Sequence, residues 1–127
     1  MTEFSVFTQR IDDATPPFCL IQTSQRILSI PLDRILFVES RQKHSIIHLE
    51  ETFIPLSVPL YRILQELPSD HFLQTHRSFL VNLRKISHID KHKDPWVVSF
   101  TVSDKTAFVS RSFRKDLLRS ILHTSSH

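Results

Sequence analysis

Residues 35–56 read ILFVES-RQKH-SIIHL-EE-TFIPL, and the class of fold is decided there. Ile35–Ser40, Ser45–Leu49 and Thr52–Leu56 are short runs rich in Ile, Leu, Phe and Val, bounded by polar residues or turn formers. Such runs predict strands, because β-branched and aromatic side chains suit a pleated, half-buried surface and each run is too short for a stable helix. The two-residue gap Glu50-Glu51 suits a hairpin, although Glu-Glu is poor turn chemistry; the spacing carries the reading.

The same texture extends in both directions. Upstream, FCLIQTS from Phe18 and RILSI from Arg26 predict two more strands, and downstream Phe72-Leu73 and Phe79-Leu80-Val81 resume the pattern. Val98, Phe100 and Val102 alternate with Ser99, Thr101 and Ser103, a period of two that predicts a strand with one wet face. Asp104-Lys105 then turns the chain back into Thr106–Val109. Helical spacing occurs twice. Leu60, Ile63, Leu64 and Leu67 follow Ser57 as a candidate cap and Pro59 as an early proline, and the pattern ends at Pro68. Phe113, Leu117 and Ile121 mark a basic C-terminal helix carrying Arg114, Lys115 and Arg119, with Ser110 or Ser112 as its cap. The expected fold is mostly β, antiparallel sheets with two small helices.

A chain of 127 residues with 40% apolar content, ten Phe among them, holds enough material for one packed domain. Asp12-Asp13-Ala14-Thr15-Pro16-Pro17 breaks any regular element, so residues 1–17 read as an N-terminal extension, 18–122 as the domain and 123–127 as a tail. Glycine is absent altogether. That excludes the P-loop, the dinucleotide fingerprint and the nucleophile elbow, whose backbones must approach a phosphate or turn through positive φ. The lone Cys19 sits between Phe18 and Leu20, which favours a buried hydrophobe over a redox-sensing thiol, and its isolation fits a reducing cytoplasm. No apolar run approaches the roughly 18 to 20 residues of a membrane helix, and the N-terminus lacks a basic start followed by an apolar stretch. A cytoplasmic location without membrane insertion is the expectation.

Eight His raise the question of metal. His44 and His48, like His88 and His92, lie four apart in extended segments, hence about 13 Å apart at about 3.3 Å per residue. One zinc ion with ligands near 2 Å, roughly, does not bridge that distance, so no metal or cofactor is expected. Pairings such as Cys19 or Ser78 with a histidine lack a supporting turn motif, and no catalytic role is expected. Charge is more informative. Residues 1–70 hold six bases and nine acids, residues 71–127 ten bases and four acids, so the halves carry −3 and +6. That asymmetry favours a polyanionic partner at the C-terminal half. Cationic, amide and hydroxyl side chains cluster in the connections: Arg41-Gln42-Lys43-His44, His76-Arg77-Ser78 and Arg111-Ser112-Phe113-Arg114. Arg and Lys hold phosphate, Arg reads guanine bidentately, Gln and His exchange hydrogen bonds with base edges, and Ser binds phosphate. Singly, each cluster also reads as a solvated polar loop.

Three stretches taken together, Asp33-Arg34-Ile35-Leu36-Phe37-Val38-Glu39-Ser40, Gln74-Thr75-His76-Arg77-Ser78-Phe79-Leu80-Val81-Asn82 and Val109-Ser110-Arg111, resemble the LytTR DNA-binding domain, the effector of LytR/AlgR-type bacterial response regulators. The resemblance runs from about Arg26 to Leu122, and the His-Arg-Ser-Phe-Leu-Val-Asn segment is its most specific part. It implies an elongated fold of antiparallel sheets in which connecting loops, not a recognition helix, meet successive major grooves of double-stranded DNA. Carried over, Arg41, Gln42, Lys43 and His44 form the first loop, with His44 on a base and Lys43 on phosphate. Arg77 and Ser78 belong to the second, Arg77 on the backbone or intervening minor groove and His76 orienting the loop from within. Arg111 in the third is the strongest candidate for a base contact, with Ser112 and Arg114 on phosphate. Imperfect direct repeats as targets imply two copies side by side on DNA, a homodimer there and not necessarily in solution.

Other residues of the motif carry structural expectations. Ile35, Phe37, Val38, Phe79 and Val81 are core; Glu39 orients Arg41 or another cation; Asn82 either caps the following turn or reaches phosphate; Trp96 packs at a hairpin end. The residues before Phe18 are too few for a receiver domain, so Asp12 and Asp13 are not phosphoacceptors. The chain reads as a stand-alone regulator controlled by a partner protein or its own abundance, or as an excised domain. A protein-interaction module that keeps the fold without binding DNA is the competing function, and RNA binding a weaker third.

Overall fold

A computed structural model describes residues 5–9 and 17–125. In chain order the strands are β1 (Ser5–Gln9), β2 (Phe18–Gln22), β3 (Ile27–Pro31), β4 (Phe37–Arg41), β5 (His44–His48) and β6 (Phe53–Leu56). After helix α1 (Leu60–Glu66) come β7 (Phe72–His76), β8 (Phe79–Asn82), β9 (Ile86–Asp90), β10 (Trp96–Phe100) and β11 (Thr106–Val109). A 3-10 turn (Arg111–Phe113) leads into helix α2 (Arg114–Ser125). The strands form antiparallel sheets in the orders β1-β2-β3, β6-β5-β4-β8-β7 and β11-β10-β9.

The five-stranded sheet is the middle layer, and its two faces feed two cores. Val38, Ile47, Leu56 and Leu80 turn toward Cys19, Ile21 and Ile30 of the first sheet and toward Leu60 and Ile63 of α1. Phe37, Phe79 and Val81 turn the other way, onto Val98, Phe100, Ala107, Val109 and Leu117. Adjacent residues such as Phe37 and Val38 therefore enter different cores, because successive strand side chains point to opposite faces. All of Phe79–Asn82 is buried for the same reason. The core expectations for Ile35, Phe37, Val38, Phe79 and Val81 hold. Cys19 is wholly buried, and burial, with Glu66 adding to it, pushes the thiol up to about 12, so the hydrophobe reading of this cysteine holds.

Buried polar groups fasten the layers. Ser45 Oγ donates to the Val58 carbonyl at 2.8 Å. Asn82 Nδ2 donates to the carbonyls of Leu32 at 3.2 Å and Ile35 at 2.8 Å, while its Oδ1 accepts from the Arg84 amide at 3.0 Å. Of its two readings, the cap is the one realised.

Several elements differ from the sequence reading. Ser5–Gln9, read as part of an extension, pairs with β2 as strand β1. Ile86–Asp90 is a full strand pairing with β10, masked in the sequence by Ser87 and His88 between its isoleucines. β10 ends at Phe100: Val102, expected to continue the alternation, has φ 59° and lies exposed in the turn to β11. Pro59, not Ser57, occupies the N-cap of α1, without a side-chain cap bond. Ser110 stands at the N-cap of the 3-10 turn, likewise without one. Among the described residues no helix is long and apolar enough to cross a membrane.

Candidate nucleic-acid interface

The connections that the sequence singled out meet at one end of the middle sheet. Gln42-Lys43 joins β4 to β5, with Arg41 opposite His44, and all four residues are exposed. Gln42 has φ 59°, a left-handed conformation that two-residue hairpins use to match strand twist and usually give to glycine or asparagine. The root of this hairpin rests on the core. Glu39 Oε2 accepts from Arg41 Nε at 3.3 Å, and Oε1 accepts from His48 Nε2 at 2.9 Å. His48 in turn stacks on Phe37 at 4.3 Å between ring centroids. Burial holds the His48 pKa below the usual histidine value, against the opposing effect of the hydrogen bond it donates to Glu39. Glu39 thus orients Arg41, as the sequence suggested.

Arg77-Ser78 joins β7 to β8. Glu39 lies opposite Phe79 in register, and the Ser40 amide donates to the Ser78 carbonyl at 2.8 Å, so this turn stands against the first hairpin. His76 holds it from inside. Its Nδ1 accepts the Ser78 amide at 3.0 Å and its ring meets Phe79 edge-on at 5.4 Å. Burial, with the Arg77 charge adding to it, lowers its pKa and favours the neutral ring that this acceptor role needs. Arg77 is left exposed.

The third connection is tied to the second by the bulge at Thr75, where pairing shifts between Gln74 and His76. Buried Thr75 donates its hydroxyl to the Phe108 carbonyl at 2.8 Å, and its own carbonyl accepts the Ser110 amide at 2.9 Å. Arg111 and Ser112 start from that fixed point and are exposed.

The sequence reading missed a fourth connection, residues 91–95 between β9 and β10. Trp96 pairs with Val109, which brings this loop beside Ser110. Asp94 Oδ2 accepts from Arg111 Nη2 at 2.6 Å and Oδ1 from Arg114 Nη2 at 2.9 Å. The Arg114 guanidinium also covers the Trp96 ring at 4.5 Å, with Lys91 at 5.1 Å from the same centroid. Trp96 packs at its hairpin end as expected. Arg114, read from sequence as a phosphate ligand, is only 24% exposed and faces Asp94 and Trp96, while Arg111 is 79% exposed. Lys91-His92-Lys93 between Ile89 and the run Trp96-Val97-Val98 was the available signal, a cationic loop between two β-rich segments.

The assembled end offers N–H donors from Arg41, Lys43, Arg77, Lys91, Lys93 and Arg111, with an imidazole at His44 and an amide at Gln42, all exposed. Its only acids within the four connections and their roots are Glu39, Asp90 and Asp94, and Glu39 and Asp94 are engaged with arginines. Such a surface is electrostatically suited to a polyanion, and its mix of forked, ammonium and amide donors matches phosphates and base edges together.

Comparison with known proteins bears on the fold and the family. The Transcriptional regulatory protein YpdB of Escherichia coli K12 is 28% identical over 100 residues, covering 78% of this chain and 41% of that protein. The Sensory transduction protein LytT of Enterococcus faecalis is 32% identical over 101 residues, covering 76% of this chain and 40% of that one. The chain thus spans about two-fifths of the length of the curated relatives it matches. A solved LytTr DNA-binding domain from Bacillus cereus has the same fold, with a TM-score of 0.67 at 24% identity over 83% of this chain and 95% of that one. Residues 25–122 match the LytTr DNA-binding domain as a family, most of the chain, and the protein described here belongs to that family.

Proposed function

We propose that this chain is a sequence-specific, double-stranded DNA-binding transcriptional regulator that acts by occupying promoter direct repeats through its inter-strand loops, without a catalytic step. The observation that carries the reading is the convergence of the loops, fixed by the Ser40–Ser78 and Thr75–Ser110 backbone bonds, with exposed cations on each. Arg111 and His44 read bases; Lys43 and Ser112 hold phosphates; Arg41 and Gln42 flank the first contact; Arg77, with the Ser78 turn, meets the backbone or intervening minor groove. Arg114 acts from behind, through Asp94. Two copies occupy neighbouring repeats, and a regulatory protein partner is one route of control.

Selection from a random duplex library, followed by salt titration of the winning site against a scrambled one, tests this. A recurring motif bound far more tightly than its scramble is the expected result. Enrichment of nothing overturns the reading in favour of a protein-interaction module. Within the selected site, Arg111→Ala costs about 1–3 kcal/mol and relaxes one base pair, whereas Lys43→Ala weakens all sequences alike and reduces the salt slope by about one. Equal, sequence-independent losses in both variants contradict the division of roles.

A further inference from the structure

One carboxylate stands among the exposed cations of the reading surface in a way that its neighbours do not require. Asp94 is 53% exposed, at the tip of the 91–95 connection, and bridges two guanidinium groups, one oxygen to each. Arg114 is the fixed side of the bridge, held between Asp94 and the face of Trp96. Arg111 is the free side, touching the carboxylate through Nη2. A guanidinium has five N–H donors in a rigid plane, so one bond to Asp94 leaves the remainder for a ligand while limiting how the plane can turn.

We propose that Asp94 is a positioning and specificity-determining residue: anchored by Arg114 on Trp96, it holds the Arg111 plane toward a base edge and disfavours its use as a general phosphate contact. The inference rests on the DNA-reading assignment above. Its physics has two parts. A freely turning arginine at 79% exposure would bind whichever anion comes first, and on DNA that is a phosphate, which carries no sequence information. A carboxylate 2.6 Å from Nη2 both restrains the plane and repels an approaching phosphate. A guanine edge is neutral overall and its two acceptors carry only partial charge, so it meets much weaker repulsion. Asp94 therefore weakens binding to DNA at large and sharpens it at one base pair. The hydrogen bond from Arg111, followed by the charges of both arginines, holds the Asp94 carboxyl below the usual carboxylate range, so the negative charge is present throughout the neutral region.

The test is a double-mutant cycle on the full chain, using Asp94→Asn, Arg111→Ala and the double variant. Each is titrated with the selected duplex, with duplexes changed at single base pairs and with a scrambled duplex, at several salt concentrations. For Asp94→Asn we expect tighter binding to the scramble, a salt slope steeper by about 0.9, the contribution of one added phosphate contact, and about tenfold less discrimination at the base pair that Arg111 reads. Discrimination elsewhere stays unchanged. In the Arg111→Ala background, Asp94→Asn should no longer alter discrimination at that pair. Asp94→Glu, which keeps the charge, should retain the weak binding to the scramble. The proposal is overturned if Asp94→Asn leaves scramble affinity and discrimination unaltered, or lowers affinity for every duplex equally as a collapsed loop would. It is also overturned if the Asp94→Asn effect persists without Arg111. A wild-type chain that binds no duplex selectively fails the DNA reading itself, and is recognised before any variant is made.

Discussion

Val102 has φ 59° and is 72% exposed, so a β-branched side chain is held in the left-handed region with little burial to compensate. Such residues cost about 1–3 kcal/mol, and glycine would normally stand there. Because the chain has no glycine, the cost falls on valine here and on glutamine at Gln42. Val102→Gly should raise the unfolding free energy by about 1 kcal/mol, after subtracting the greater freedom glycine gives the unfolded chain. Urea unfolding measures this as a higher midpoint at unchanged slope; a lower midpoint contradicts it. This residue also shows where sequence reading stops. Val98, Phe100 and Val102 keep a period of two, but the pairing of β10 with β9 shifts at Ser99/Phe100 and the strand ends there. Alternation describes which face a residue would occupy in a strand, and carries no information on where hydrogen bonding ends.

At the scale of elements, the His-Arg-Ser-Phe hairpin was legible because its strands are rich in aromatic and β-branched residues. The bulge at Thr75 was not, since one inserted residue leaves the composition of a strand unaltered. Yet Thr75 connects two of the cationic loops, its hydroxyl donating to Phe108 and its carbonyl accepting from Ser110. Thr75→Val keeps the volume and leaves the Phe108 carbonyl without this donor, for an expected loss of about 1–3 kcal/mol in unfolding free energy. The affinity for the selected duplex should fall as well, because the Arg111 loop loses part of its anchor. Calorimetry with duplex titration separates the outcomes, and unchanged stability with unchanged affinity refutes the role given to Thr75. The 91–95 loop was missed for a different reason. Once β9 went unread, the cations 91 and 93 had no hairpin to belong to, and the pairing of Asp94 with Arg111 across 17 residues is visible only in three dimensions.

For the molecule as a whole, three sheets bury both faces of the middle one, and two histidines lie where that middle sheet meets its loops. Both have pKa values lowered chiefly by burial. A histidine whose folded pKa lies below its unfolded value of about 6.5 binds its proton more readily in the unfolded chain, so stability falls as pH drops below that value. Unfolding free energy is therefore expected to be flat with respect to these groups above about pH 7 and to decline from about pH 6.5 downward. In His76→Asn, whose Oδ1 can replace Nδ1 as acceptor for the Ser78 amide, the decline should be shallower. Denaturation curves across pH 5 to 8, roughly, measure it, and an identical decline in the variant excludes His76 as a contributor.

The links between the three cationic connections, Ser40 to Ser78 and Thr75 to Ser110, are made by main-chain atoms. Substitution at 41, 43, 44, 77 or 111–112 alters the chemical groups presented without altering the frame that spaces them, whereas Gln42, at φ 59°, belongs to that frame. If these loops read DNA as proposed, target preference on this scaffold is separable from foldability. On the proposed reading, a lineage would exchange one operator for another by a few surface replacements, each near neutral for stability, and duplicated copies would diverge in the genes they address while their architecture stays constant.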